Sequence, residues 1–263
     1  MVRAPEEMVC NRYSMFTKMK TVATKREFTR HLINALEESL VECNYKRPVV
    51  ICPNCGHVQL PDDGKLPLPY SPAPECQYSS DFVSQIGMLV TTGLPINRTF
   101  TYHAVNDEDK QISTVELNRA VMRFATGDGA VAQLVMAHDM DTNEAERAIR
   151  AVTLYKHSAF FKQTREGLEG YCNYMSLRET AAMNGIAHPT RWVREFSRAF
   201  LLHCIEHDLT ERAKSAKIDD ATQLRTGIHR FSQKALESFD FTPWLAWNYA
   251  RSLKAEDRTT PVR

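Results

Sequence analysis

What this chain lacks narrows it first. No uninterrupted apolar run approaches the roughly 20 residues of a membrane span, so no membrane partner is expected. The opening MVRAPEEMVC has no apolar core of the kind that directs export. An excess of charge is missing too. Lys and Arg number 33 against 32 Asp and Glu, a formal charge of +1, so any hold on a polyanion must come from local patches and not from the bulk field. The seven cysteines are an odd number and no export signal accompanies them, which predicts a reducing, cytoplasmic setting and no disulfide framework. What is present is ordinary for a globular protein. Apolar residues make up 43% and charged residues 25% of 263, enough for one large domain or two to three small ones.

The most informative stretch is Ser176–Phe200, SLRETAAMNGIAHPTRWVREFSRAF. Ser176 and Glu179 have the S-x-x-E spacing of a capping box, which predicts a short helix starting there. Ala181 lies four residues before Gly185. A small residue there lets two helices cross closely, and a glycine makes the turn between them. Ile186 is placed to plug the gap, and His188-Pro189 opens a second helix with proline at its first position. In that helix Trp192, Val193, Phe196 and Phe200 form an apolar face. Arg191, Arg194 and Arg198 fall on another stripe, and His188 and Thr190 precede it. Guanidinium groups on a second helix can grip phosphates or bond a guanine edge in the major groove.

The string ETAAMNGIAHPTRWVREF resembles the helix-turn-helix of insertion-sequence transposases and related mobile-element regulators, over about a tenth of the chain. Asn184 departs from that pattern, which prefers an apolar residue before the glycine. The resemblance implies a unit that reads double-stranded DNA. The competing reading is an ordinary helical hairpin with a basic outer face.

Further upstream, Thr24–Glu27 forms a capping box that predicts a helix with Phe28, Leu32, Ala35, Leu36 and Leu40 on one side. Lys18, Lys20, Lys25, Arg26 and Arg30 precede or line its start, as a solvated face or a phosphate-touching patch. Val49, Val50 and Ile51 suit a short strand running into Cys52-Pro53-Asn54-Cys55-Gly56-His57. C-P-x-C-G turns tightly enough to aim two thiolates at one metal, and it resembles half of a zinc ribbon. The other half should be a second C-x-x-C, but only Cys76 appears, with Ser79 in its partner's place. Cys52, Cys55 and Cys76 are therefore the expected ligands of a structural Zn2+, with His57 or Cys43 as the fourth and His57 preferred for its proximity. A ribbon without metal and a redox pair are the alternatives. Five of the twelve prolines fall in residues 60–75, which predicts a loop closing the finger. Phe100–His103 suits a strand.

From Ser113, which caps with Glu116, the chain turns helical, with Leu117, Val121 and Phe124 facing inward. Gly127-Asp128-Gly129 breaks that helix, Ala130–Ala137 forms a short one, and Asp141 with Glu144 caps the next. Asn143, Arg147 and Arg150 share the outer stripe of this last helix. Setting Met140 against Ile186 aligns the two outlines at an offset of 46 residues, with Asp139 in the glycine position, so a tandem pair of similar units is possible. His203 and His207, four apart, read as packing or surface residues. A helix is expected over Ala221–Ser238, then a last one from Thr242-Pro243, whose Trp244 and Trp247 dock on the core or mark a partner surface.

The expected fold is mainly α, with one clear and one possible helix-turn-helix after a small zinc-knuckle subdomain. Its parts are an N-terminal helical segment (1–48), the knuckle region with its Pro-rich loop (49–104), the possible unit (113–157), the clearer unit (170–209), C-terminal helices (210–257) and a disordered tail (258–263). The function expected is sequence-specific DNA binding, as a transcription regulator or accessory factor of a mobile element. It would act as a homodimer or with a partner protein of the same system, and without turnover of its own. A full transposase is not expected, because only about sixty helical residues follow the clearer unit. The alternatives are a zinc-stapled protein-interaction adaptor and an HD-type phosphohydrolase built on His138-Asp139 with His103 and His157 recruited.

Overall fold

A computed structural model describes residues 8–12, 14–22, 30–36, 39–45, 47–61, 78–93, 114–138, 164–217, 224 and 230–259. Among the described residues the fold is mainly helical, with short strands in the N-terminal part. Among the described residues no helix is long and apolar enough to cross a membrane. Contacts divide the chain into two compact units. One comprises Met1–Ile33, Glu42–Ser79 and Phe200–Phe239; the other comprises Asn34–Val41, Ser80–Ala199 and Asp240–Arg263.

The first unit is built from strand pairs. Met8–Cys10 (β1) and Met15–Thr17 (β2) form an antiparallel hairpin with Val9 opposite Phe16 and Cys10 opposite Met15. Lys20–Thr21 (β3), Val50–Ile51 (β6) and Val58–Gln59 (β7) form an antiparallel sheet in the order β3-β6-β7. Arg30–Leu36 (β4) and Ser39–Tyr45 (β5) pair with each other, and residues 34–41 of this pair fall in the second unit. These two strands replace the helix expected in the N-terminal segment. The reason lies in parity: Leu32 and Leu36 are four apart, and in sequence that spacing suits a strand as well as a helix. Thr24–Glu27, the capping signal that favoured the helix, lies outside the described residues.

The second unit is a helical cluster. Ser80–Val90 (α1), Thr114–Ala125 (α2) and Ala130–Ala137 (α3) pack on Arg165–Met183 (α4). Phe82 and Ile86, Leu117 and Phe124, Val131 and Leu134, and Tyr171, Tyr174 and Leu177 are all buried. Each such side chain contributes about 1.5–3 kcal/mol by leaving water. Arg178 of α4 donates to the Thr91 carbonyl just beyond α1, satisfying an acceptor the helix end leaves over. The break at Gly127–Gly129 and the helix Ala130–Ala137 stand where the sequence placed them. Asp139–Glu144 and the rest of the possible first helix-turn-helix, with Asn143, Arg147 and Arg150, lie outside the described residues, as do Cys76 and Phe100–His103.

The helix before the 184–186 turn differs from expectation. It does not start at Ser176: α4 begins at Arg165, where Thr164 caps it by accepting from the Gly167 N–H at 3.0 Å. Ser176 is buried in mid-helix. Tyr171, Tyr174 and Met175 bury upstream of the box, and this tertiary burial carries the helix through a local start signal. Pro189–Ala216 (α5) is one continuous helix. Within the expected helix 221–238, the described helical part is confined to Gln233–Glu237 (α6), capped by Ser232. A 3-10 turn at Thr242–Trp244 leads to Ala246–Ser252 (α7), and a second 3-10 turn covers Ala255–Asp257.

Candidate functional site

Two places carry chemistry-bearing side chains, one in each unit. In the first, Cys10, Cys52 and Cys55 bring their sulfurs within 4.8 Å of one another. Cys52 and Cys55 come from the β6–β7 hairpin. The Cys52 N–H bonds the His57 carbonyl at 2.9 Å, and the Gly56 N–H bonds the Cys52 carbonyl at 2.8 Å. Gly56 has φ +68°, a conformation that side chains with a Cβ adopt at a cost. Cys10 ends β1, in a hairpin closed by the Ser14 N–H on the Cys10 carbonyl at 2.7 Å. The Gln59 amide holds the two hairpins together across Cys10. It accepts from the Asn11 N–H at 3.2 Å and donates to the Val9 carbonyl at 3.3 Å, so it grips the residues on both sides of Cys10. Cys10, Met19, Val50 and Cys52 are buried as one small cluster, with Met8 and Cys55 against it.

The sulfurs of Cys10 and Cys55 lie 3.7 Å apart. That is far beyond a disulfide bond of about 2 Å. It matches the edge of a tetrahedron of thiolates about 2.3 Å from a central ion, which is about 3.8 Å. Three convergent thiols in an apolar setting are a donor set for a soft or borderline cation. The thiols themselves are unequal. Burial alone would raise Cys52, but the main-chain N–H groups of Asn54 and Cys55 and the neighbouring thiols outweigh it and hold it below the ordinary thiol value. Cys55 is pushed up to about 11, by burial first and by the adjacent Cys52 and Cys10. A bound cation would reverse that penalty, because a coordinated thiol is deprotonated outright.

Among the described residues the thiol that joins Cys52 and Cys55 is Cys10, which the sequence did not single out, while Cys76 lies outside them. His57, the preferred fourth ligand, is not part of the cluster; its Nδ1 lies 3.3 Å from Thr210 Oγ1. The reason is the turn, which folds the knuckle back so that residue 57 meets α5 and not the thiols. Burial, then the Arg12 guanidinium and the imidazoles of His203 and His207, hold the His57 pKa below its usual value. Cys10 escaped sequence reading because no ligand spacing surrounds it: the place of a C-x-x-C partner is Tyr13. The available signal was the hairpin pattern, Met8 and Cys10 flanking an outward Val9 before the polar turn Asn11–Ser14.

The C-terminal half of α5 completes this unit. β7 is an edge strand, and its outward N–H groups would lack partners. Thr210 Oγ1 accepts from Val58 N–H at 2.9 Å, and Glu206 Oε1 accepts from Leu60 N–H at 2.7 Å. Asp208 accepts from the Ser232 N–H and hydroxyl and so fixes the start of α6. His203 bonds Ser238 Oγ at 3.0 Å and sets its ring edge on Phe239, the packing role expected for it.

In the second unit the site is the turn between α4 and α5. The Ile186 N–H returns to the Ala181 carbonyl at 2.9 Å and the Gly185 N–H to the Ala182 carbonyl at 3.2 Å. This is the Schellman pattern, and Gly185 takes the left-handed φ of +71° that it requires. Ala181 and Ile186 are buried. His188 caps α5 through its carbonyl, Pro189 follows, and Trp192, Val193, Phe196 and Phe200 bury one face. Trp192 donates its indole N–H to the Trp244 carbonyl, and Trp244 stands edge-on to Phe196, so this C-terminal tryptophan docks as expected.

The arginine stripe is largely occupied from within. Arg191 Nε bonds Glu195 at 2.9 Å, and its NH1 reaches Asp257 at 3.3 Å; these carboxylates hold its pKa above its usual value. Tyr249 donates to the second oxygen of Glu195. Arg198 is 15% exposed and lies 3.8 Å from Asp81. Arg194 is exposed and has no ion pair among the described residues; His188 is exposed and Thr190 half-buried. The tail is not wholly free, contrary to expectation. Arg258 bridges Ile186, the Ala187 N–H bonds the Asp257 carbonyl, and the Thr259 N–H bonds the Gly185 carbonyl. Main-chain groups left open by the α4–α5 turn recruit this segment.

His138 also has a defined role. It ends α3, with Nδ1 at 2.7 Å from the Leu134 carbonyl and Nε2 at 3.0 Å from the Ala246 N–H. The ring is therefore neutral, donating from Nδ1 and accepting at Nε2. It sits edge-on between the indoles of Trp192 and Trp247, and burial holds its pKa below the ordinary imidazole value. Both nitrogens are engaged by main chain, and Asp139 lies outside the described residues. Compared with protein-family models, with curated proteins and with solved structures, the chain matches none.

Proposed function

We propose that this chain is a sequence-specific DNA-binding protein, stapled by a structural zinc ion held by Cys10, Cys52 and Cys55. The observation that carries the reading is the α4–α5 junction. A buried Ala181, a left-handed Gly185, a buried Ile186 and a proline-opened α5 together favour a helix-turn-helix whose second helix buries one face and leaves His188, Thr190 and Arg194 on another. The internal pairing of Arg191 and Arg198 narrows the reading surface to the first two turns of α5, the part of a recognition helix that meets base edges. Asn143, Arg147 and Arg150 would extend it from a second unit, since one helix covers only a few base pairs. Zinc suits the thiol set, and its part is to crosslink two hairpins too small to hold a core of their own. As a regulator or accessory factor of a mobile element the protein would need no turnover. The phosphohydrolase alternative would require ring nitrogens of His138 that two main-chain bonds already use.

The test is selection of a bound sequence from a random duplex pool, followed by titration of Arg194→Ala against it. A loss of about 1–3 kcal/mol confined to the selected site marks a base-edge contact. A loss equal on all sequences, with the salt slope reduced by about one, marks a phosphate contact. Unchanged binding would sink the reading. The carboxylates on Arg191 and Arg198 favour a second reading, a protein-interaction adaptor, and that outcome would move it to first place.

A further inference from the structure

The outer face of the β1–β2 hairpin bears a feature that the α5 reading does not use. Phe16 is 77% exposed and Val9, directly across the ladder, is 39% exposed. Alternation along the chain sets Cys10 and Met19 inward and Val9, Phe16 and Lys18 outward, and Arg12 is exposed at the turn. Arg12 and Lys18 have no carboxylate partner among the described residues, and Lys20 is exposed one step further on. From Met8 to Arg26 the sequence holds five basic residues and no acidic one. In a chain whose net charge is +1, this is a marked local excess.

We propose that this hairpin face is a nucleic-acid contact surface, in which Arg12 and Lys18 hold phosphates and Phe16 stacks on a base or wedges into a groove. Charge complementarity names the occupant: an exposed apolar pair beside Arg12, Lys18 and Lys20 suits a polyanion with exposed rings. A bilayer fits less well. A hairpin that enters lipid leads with an apolar tip, whereas the described tip residues here, Asn11, Arg12 and Ser14, are exposed and polar. The surface goes beyond the α5 reading and rests on it only for the choice of ligand. Its cations carry no base code, so it would add affinity that is independent of sequence.

The experiment uses the full zinc-loaded chain, a mixed-sequence duplex of about thirty base pairs, roughly three turns, and the matching single strand. Binding is followed by anisotropy at several salt concentrations. Phe16→Ala should weaken binding about tenfold on every sequence tried. Lys18→Gln should lower the salt slope by about one unit. Both side chains are exposed, so zinc content and melting temperature should stay at wild-type values, which separates lost contact from lost fold. Wild-type affinity and slope in both variants would overturn the proposal. Phe16-dependent binding to phosphatidylserine vesicles without any change on nucleic acid would overturn it in favour of a membrane surface. Failure of the α5 reading looks different, because Arg194→Ala would then be silent while the hairpin variants still weaken binding.

Discussion

At the scale of single residues, hydrogen-bond capacity explains more than residue type does. His138 looked in sequence like half of an HD pair, yet its neighbours make it a connector between the end of α3 and the start of α7. The same geometry makes it pH-sensitive. The unfolded chain takes up a proton near the usual imidazole value of about 6.5, while the folded protein resists it, because the charged form would be buried and Nε2 would lose its role as acceptor. The sign follows: stability is full above that value and is lost as pH falls through it. His138→Gln, which cannot titrate, should cost about 1–3 kcal/mol at neutral pH through imperfect pairing of two main-chain groups. It should also lose less stability than wild type between about pH 7 and about pH 5. Thermal melts of both proteins across that range check this, and parallel curves would show that His138 is not the group responsible.

At the scale of elements, legibility followed how local the signal was. The break at Gly127–Gly129, helix Ala130–Ala137 and the 184–186 turn could be read because glycine and proline chemistry acts within a few residues. β4 and β5 could not, because leucines four apart satisfy both periods. The start of α4 was misplaced because burial of Tyr171 and Tyr174 overrode a capping box. The place of Cys10 beside Cys52 needed a contact 42 residues along the chain, which no local spacing encodes. Gly185 tests the element that was read correctly. Its φ of +71° and the paired bonds to Ala181 and Ala182 predict that Gly185→Ala costs about 1–2 kcal/mol, the price of a left-handed backbone with a Cβ. Helical content by circular dichroism should be retained and the midpoint of denaturation should fall. An unchanged midpoint would mean that this turn is not held in the left-handed form.

At the scale of the molecule, the two units should differ in what holds them. The second buries a continuous set of aromatic and aliphatic side chains from four packed helices. In the first, the hairpins that carry Cys10, Cys52 and Cys55 have two- and three-residue strands and share only a small cluster of sulfur-bearing and valine side chains, too little apolar area to offset their own ordering entropy, although Phe200, Leu201, Ile205 and Leu209 of α5 are buried in the same unit. A metal that binds the folded thiol set and not the separated thiols adds its binding free energy to folding. It follows that chelation, or Cys10→Ser, should act on one unit and spare the other. Calorimetry of the zinc-loaded chain should then show a transition that moves down in temperature with chelator and a second that does not. The helical signal should fall only by the share of α5 from Phe200 onward and of α6, which belong to the first unit. Acid should mimic the chelator, since protons compete for the three sulfurs. Metal analysis should return about one ion per wild-type chain and much less for Cys10→Ser. If Cys10→Ser kept full metal content while Cys52→Ser lost it, Cys10 would be a neighbour of the centre and not a ligand.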